Sequence, residues 1–310
     1  MKQGRCEYRE MQGKKYGGID RIPRGKASEE LTPGCLVLEG GAFKGLYTQG
    51  VLDALMTAGI NLQCVIGISA GGLAGVNYVS GQIGRSARVA LTYRHDSRYV
   101  GLKAFRHSHS IVDVGFLTEE RGIYEPLDKE RFFRPEQRFL VEATNCLTGE
   151  AVSFEKGKCS DFFQAVKASA TMPYIAPMVM IDGEPWLDGG CARKIPYEWA
   201  LEQGFDKILL IRTREIEFRK ENREDRLAEI IYRKYPKIAA KIRRMNIEAN
   251  REFEEVEELH HQGRLMRIAP SRPVDVTRLE PDMEKLGELY WLGYQDGTDR
   301  MDAIREYLKG

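Results

Sequence analysis

The 310-residue chain contains no apolar stretch long enough to span a bilayer, and no apolar h-region follows its first residues, MKQGRCEYREMQGKKYGG. Any lipid contact is therefore expected to be peripheral. Its six cysteines (Cys6, Cys35, Cys64, Cys146, Cys159 and Cys191) form no C-x-x-C pair and are too scattered for a secreted disulfide scaffold. Cys35 and Cys64 lie inside apolar runs, where a free cysteine behaves as a small hydrophobe, so a reducing, cytoplasmic compartment is expected. A surplus of one charge is missing too. The formal net charge is +1, which gives no reason to expect a nucleic-acid partner. No internal repeat is visible. With 42% hydrophobic and 30% charged residues, the chain has the balance of a folded protein rather than a disordered one.

What is present is an alternation of short apolar runs and helical patterns. CLVLEGG (35–41) reads as a strand closed by glycines. GLYTQGVLDALMTAG (45–59) carries Leu46, Val51, Leu52, Leu55 and Met56 near helical spacing and ends on Gly59. LQCVIGI (62–68) is a second strand, and small residues from Ala70 onward begin another helix. Such a strand–helix–strand unit implies a parallel sheet buried on both faces. Further strands are expected at 138–144, 178–181, 185–188, 207–213 and 264–270, with helices at 160–169 and 282–308. The fold class is α/β, with a parallel or mixed central sheet flanked by helices. The segments divide as a polar arm (1–34), a core (35–213), a charged helical insertion (214–262), and a last strand and helix (263–310). Within the insertion Leu227, Ile230, Ile231, Ile238, Ile242 and Met245 recur at helical spacing, and Pro236 should kink or divide the helix.

Right-handed connections bring the loops after the first two strands to one edge of the sheet. They read GGAFKG (40–45) and GISAGG (67–72). In the second, Gly67-Ile68-Ser69-Ala70-Gly71 fits G-x-S-x-G, the pattern of a nucleophile exposed on a tight strand-to-helix turn. The bland alternative is a Gly-Ser turn that merely lets segments pack. A Gly-rich loop beside such a turn supplies backbone N–H donors for an oxyanion, and Lys44 would steady an anionic head group or the loop itself. GGAFKG fits neither phosphate-loop fingerprint, G-x-x-x-x-G-K-[ST] or G-x-G-x-x-G.

For the base, chain order offers the pair His260-His261, the only histidines placed to complete a Ser–Asp/Glu–His order. An acidic partner is better supported. In MIDGEPWLDGG (180–190), Asp182-Gly183 is a hairpin turn signal. Asp188 instead stands at a strand exit before Gly189-Gly190, where it is either a base for Ser69 or a turn aspartate capping local N–H groups. As a base it would need burial to raise its pKa. His107-Ser108-His109 lacks partners at zinc spacing and reads as solvated surface.

The three blocks Gly40-Gly41-Ala42-Phe43-Lys44-Gly45, Gly67-Ile68-Ser69-Ala70-Gly71 and Asp188-Gly189-Gly190 resemble the patatin-like phospholipase pattern G-G-G-x-[KR]-G, G-x-S-x-G, D-G-[AG]. ASATMP (168–173) is similar to that family's A-S-x-x-x-P segment. The resemblance covers residues 35 to about 213. It implies a three-layer sandwich with a mostly parallel sheet, Ser69 as nucleophile and Asp188 as general base. It also implies an oxyanion hole from backbone N–H groups around Gly41, Ala42 and Phe43, with Gly67, Gly71, Gly189 and Gly190 shaping the elbow and the dyad. Ala42 departs from the family, which has a third glycine there. The expected function is acyl-ester hydrolysis of phospholipids or related lipids, without metal or cofactor. The rivals are an esterase using His260 or His261, and a lipid-binding scaffold without turnover. The same residues would also serve acyl transfer to an alcohol other than water. The segment from Arg219 to Arg244 reads either as a basic helix on an anionic membrane or as a structural layer with a charged face.

Overall fold

Runs that are apolar at every position can be covered on both faces, and three such runs form the middle of the sheet. The computed structural model describes residues 15–101, 113, 115 and 125–309. Its strands are β1 (Gly25–Lys26), β2 (Thr32–Leu38), β3 (Leu62–Ile68), β4 (Gln82–Ile83), β5 (Arg138–Asn145), β6 (Ala151–Glu155), β7 (Val179–Ile181), β8 (Glu184–Asp188), β9 (Ile208–Ile211) and β10 (Met266–Ile268). The α-helices are α1 (Gly45–Thr57), α2 (Ala70–Val79), α3 (Arg85–Tyr93), α4 (Lys129–Phe132), α5 (Phe162–Ser169), α6 (Tyr197–Glu202), α7 (Leu227–Ile231), α8 (Pro236–His261), α9 (Met283–Asp299) and α10 (Met301–Lys309). Among the described residues the main sheet has eight strands in the order β10-β9-β2-β3-β5-β8-β7, with β6 also on β5. The strands from β10 to β5 in this order run parallel, β6 and β8 pair antiparallel with β5, and β7 pairs antiparallel with β8, so the sheet is mixed.

Successive residues of a strand point to opposite faces. Leu36, Leu38, Val65, Leu209 and Ile211 meet Leu46, Val51, Leu55, Leu286 and Tyr290 of α1 and α9. Their neighbours Cys35, Val37, Cys64, Ile66, Ile208 and Leu210 meet Tyr197 and Ala200 of α6 and Ala249, Phe253 and Val256 of α8. Helices, sheet and helices therefore form three layers. The second helical layer combines α6 with α8, which comes from the segment whose charge marked it as an insertion. The inward stripe of α8 closes a face of the sheet, while Pro236 occupies its first turn and divides it from α7.

Several boundaries differ from expectation. Tyr16, Ile19 and Ile22, in the part expected to be a polar arm, are buried in the first core layer. The strand β6 lacks a clear apolar alternation because it packs only partly covered against β5. The C-terminal helix breaks at Arg300 into α9 and α10. Asp182 and Gly183, with φ of 50° and 81°, make the turn between β7 and β8.

The α1–α9 contact is made backbone to backbone. A Cβ on Gly50 would lie 2.1 Å from the Tyr290 carbonyl oxygen, and one on Gly293 would lie 2.0 Å from that of Tyr47. The Tyr290 hydroxyl donates to Asp53 at 2.8 Å and the Tyr47 hydroxyl to Asp296 at 3.0 Å, so each helix anchors the other. Burial raises the pKa of Asp53 to about 7, although hydrogen bonds from Gly84 and Tyr290 favour its charge. A carboxyl whose pKa rises on folding favours the folded state most below its unfolded pKa, near 3.8, and loses that contribution as pH climbs through about 7. The unfolding free energy of Asp53→Asn, relative to wild type, is therefore expected to improve steadily between about pH 4 and pH 7. Urea titrations at several pH values check this; a pH-independent difference would contradict it.

Candidate active site

Because β2 and β3 are parallel with Leu38 opposite Gly67, the loops that follow them meet at one edge of the sheet. Ser69 stands between β3 and α2 with φ 55° and ψ −121°, a conformation that costs a non-glycine residue about 1–3 kcal/mol and persists only when its surroundings enforce it. The enforcement is visible. Its N–H donates to the Ser169 hydroxyl at 3.0 Å, and its carbonyl accepts from Leu73 at 3.0 Å in the first turn of α2. Gly67 and Gly71 permit the close approach: a Cβ on Gly67 would lie 2.6 Å from the Gly71 carbonyl carbon, and one on Gly71 would lie 2.4 Å from the Leu38 carbonyl oxygen.

The glycine loop turns through a single 3-10 turn, Ala42–Lys44. Ala42 has φ 51°, which explains why the pattern favours glycine here and shows that this chain places an alanine in the left-handed region. The amides of the loop are not equivalent. Lys44 N–H donates to Gly41 and Gly45 N–H to Ala42 and Phe43, while the amides of Phe43 and Gly40 reach the Arg278 and Lys194 carbonyls at 3.4 Å. Gly41 and Ala42 N–H have no protein acceptor among the described residues. The donor set expected around Gly41, Ala42 and Phe43 thus narrows to the first two.

Asp188 ends β8. Its N–H donates to the Thr171 carbonyl at 2.8 Å, and one carboxylate oxygen accepts from Gly190 N–H at 2.7 Å. Gly189 begins the short turn that lies against β5. Burial raises the pKa of Asp188, opposed by Lys194, by the neighbouring Ser69 hydroxyl, by the Gly190 N–H and by Arg278. The structure therefore brings Ser69 and Asp188 together, leaving a carboxylate more basic than a solvated one.

Three contributors escaped the sequence reading. Ser169, in ASATMP, holds the elbow amide, and its motif carried a signal. Lys194 places its ammonium on the Gly190 carbonyl, and its own amide is held by Glu252 of α8 at 2.8 Å. Arg278 lies in a distant loop with no motif. Burial also lifts the pKa of Glu252 to about 7.

Ser69 and Asp188 line a cavity of 560 Å³ together with Gly41, Ala42 and Lys194. On its other side Ser69 borders a narrower apolar slot walled by Phe43, Leu46, Leu73, Ala90, Met172 and Leu279. His260 and His261 border neither space. The His260 ring faces the Leu265 carbonyl and Arg267 N–H where β10 starts, at the edge of the parallel strands opposite to the one carrying Ser69. His107-Ser108-His109 lies outside the described residues.

A family profile described as patatin-like phospholipase matches residues 36–201, more than half of the chain, and contains Ser69 and Asp188. The chain belongs to the patatin-like phospholipase family. A second profile, a domain of unknown function (DUF6363), matches residues 235–309 of this patatin-like protein, from α8 to α10. The uncharacterized protein YjjU of Escherichia coli K12 is 28% identical over 184 residues, 57% of this chain and 51% of its own length. The uncharacterized NTE family protein Rv1063c of Mycobacterium tuberculosis is 28% identical over 181 residues, 56% of this chain and 46% of its own. The patatin-like chain thus spans about half the length of the curated relatives it matches. VipD from Legionella pneumophila aligns over 91% of this chain and 70% of its own, with 15% identity and a TM-score of 0.45.

Ser169→Ala removes the acceptor of the Ser69 amide at a fully buried position. A loss of about 1–3 kcal/mol is expected. Urea denaturation measures it, and an unchanged midpoint would show that the elbow does not depend on this bond.

Proposed function

We propose that this protein hydrolyses acyl esters of lipids, with Ser69 as nucleophile and Asp188 as general base. The observation that carries the reading is one cavity wall holding Ser69, Asp188 and two unpaired amides. In the first step Asp188 accepts the Ser69 proton as the hydroxyl oxygen attacks the ester carbonyl. The N–H groups of Gly41 and Ala42 then receive the negative charge on the former carbonyl oxygen, and the adjacent N-terminus of α2 adds a favourable dipole. Collapse expels the alcohol, which takes the proton from Asp188. Water, deprotonated by the same carboxylate, attacks the acyl-enzyme; as the fatty acid leaves, Asp188 returns the proton to the Ser69 oxygen. The apolar slot beside Ser69 suits the acyl chain.

Labelling by a fluorophosphonate, with hydrolysis of a soluble short-chain ester, tests this. Wild type is expected to label at Ser69 and turn over. Ser69→Ala loses both, and Asp188→Asn loses at least about a hundredfold in kcat/KM, as expected for removal of a general base. Folded wild type that neither labels nor turns over would leave lipid binding without catalysis.

Access to lipid is the second part of the reading. Among the described residues no helix is long and apolar enough to cross a membrane. The helix α7, however, exposes Leu227, Ile230 and Ile231, with Ile230 71% exposed, beside exposed Arg226, Arg233 and Lys234 and one acid, Glu229. Tyr232 ties this helix to Tyr174, next to Met172 and Pro173 in the cavity wall. Basic residues flanking exposed aliphatics favour an anionic lipid surface. Cosedimentation with phosphatidylglycerol vesicles is expected to drop several-fold for Leu227→Ser combined with Ile230→Ser. Unchanged pelleting would remove α7 from lipid contact.

A further inference from the structure

The lining of the cavity is strongly cationic. Lys44, Lys194, Arg214, Lys220 and Arg278 all border it. None of the five forms an ion pair with a described carboxylate. Arg214 reaches the Val274 carbonyl and stacks over Phe218, and Lys194 reaches Gly190. The side chains of Lys44, Lys220 and Arg278 make no hydrogen bond to a described group, although Lys44 is only 9% exposed.

Three acids share the cavity, and each is otherwise engaged. Glu39 accepts the Thr213 N–H at 2.6 Å, Asp188 accepts the Gly190 N–H at 2.7 Å, and Asp275 pairs with Lys285 at 3.0 Å on the outside. Glu39 and Glu280 partly offset the charge of Lys44, Glu39 that of Lys220, and Asp188 that of Lys194 and Arg278, but the five cations outnumber the three cavity acids. Burial, then Arg214 and Arg278, lower the pKa of Lys44 to about 8; burial, then Lys194 and Arg278, lower that of Lys220 to about 7. Lys44 is buried, Lys194, Arg214 and Lys220 are half-buried, and Arg278 is exposed at the mouth; an anionic ligand bound among them offsets their mutual repulsion.

We propose that this lining is a subsite for a phosphate group with net negative charge, carried by the head group of the ester substrate; the assignment to a head group rests on Ser69 being the ester-cleaving nucleophile. Ser69 separates the two spaces, so an ester held at its hydroxyl directs the acyl chain into the apolar slot and the phosphate toward Lys44, Lys194, Lys220 and Arg278. A quaternary ammonium on the same head would be brought against like charges, so the subsite selects against zwitterionic choline lipids. Lys44 and Lys194 lie within the matched patatin-like region 36–201, and Arg214, Lys220 and Arg278 lie outside it.

Calorimetric titration of the full-length Ser69→Ala protein tests the proposal without relying on turnover. The probes are dihexanoylphosphatidic acid and dihexanoylphosphatidylcholine, both below their micellar concentrations, and inorganic phosphate. The phosphatidic acid is expected to bind at least about tenfold more tightly than either of the others, the size of one or two charge-assisted contacts. Lys220→Gln and Arg278→Gln, each made separately in the Ser69→Ala background, are expected to weaken it by about tenfold. Either variant suffices if the other fails to fold. Equal affinity for the two lipids, or no effect of a folded Lys220→Gln or Arg278→Gln protein, overturns the subsite. Phosphate binding as tightly as the phosphatidic acid overturns the head-group assignment and makes the site one for free phosphate. Absence of Ser69 labelling in wild type would remove the hydrolase reading while leaving the binding results intact.

Discussion

Ser69 can hold its left-handed backbone only because two other chain segments press against it. On one side the end of β2 lies so close to Gly71 that no side chain fits between them; on the other, the buried Ser169 hydroxyl takes the elbow amide. That hydrogen bond reaches across 100 residues of sequence, from the start of α2 to the end of α5. The strain at Ser69 is thus borne by the packing of the sheet edge rather than by the turn itself. The same edge sets the register of the glycine loop, because Leu38 and Gly67 are paired across β2 and β3. Once the elbow is fixed, the positions of the Gly41 and Ala42 amides follow.

Asp188 shows a second constraint, electrostatic rather than steric. Burial pushes the pKa of this carboxyl up. Lys194, the Ser69 hydroxyl, the Gly190 amide and Arg278 oppose that shift, and the net direction is upward, toward a more basic carboxylate. The cation that contributes most is positioned by Glu252, on the helix α8 that also closes the second face of the sheet. Core packing and site electrostatics are therefore coupled through one helix. The apolar slot and the cationic wall then meet at Ser69, placing opposite solvent preferences on the two sides of one hydroxyl.

Much of this was legible from local pattern. The runs at 35–38, 64–68 and 208–211 announce a doubly covered sheet because every residue in them is apolar or small, and they are the central strands. The three glycine-containing blocks announce close backbone approach, and Asp182-Gly183 announces a hairpin. Less legible were β6, whose half-covered position leaves no clean alternation, and residues 15–34, where a few buried side chains sit among polar ones. In the charged stretch after 214, helical spacing was visible, but not that Ile238 and Ile242 turn inward while Ile230 and Ile231 face solvent. Periodicity reports that a face exists, not which neighbour covers it.

By itself the sequence determined the fold class, the central strands and the pairing of Ser69 with Asp188 as the residues to test, because these depend on apolar runs and on glycine motifs that are local. Tertiary structure alone decided which loop amides stay open, that Ser169 supports the elbow, that His260 sits at the far edge of the sheet, and that Lys44, Lys194, Lys220 and Arg278 share one cavity. The physical reason is range. Strand formation and tight turns are set by neighbouring residues, whereas hydrogen-bond partners and charge environments are set by whichever distant segments the sheet topology brings to its edge.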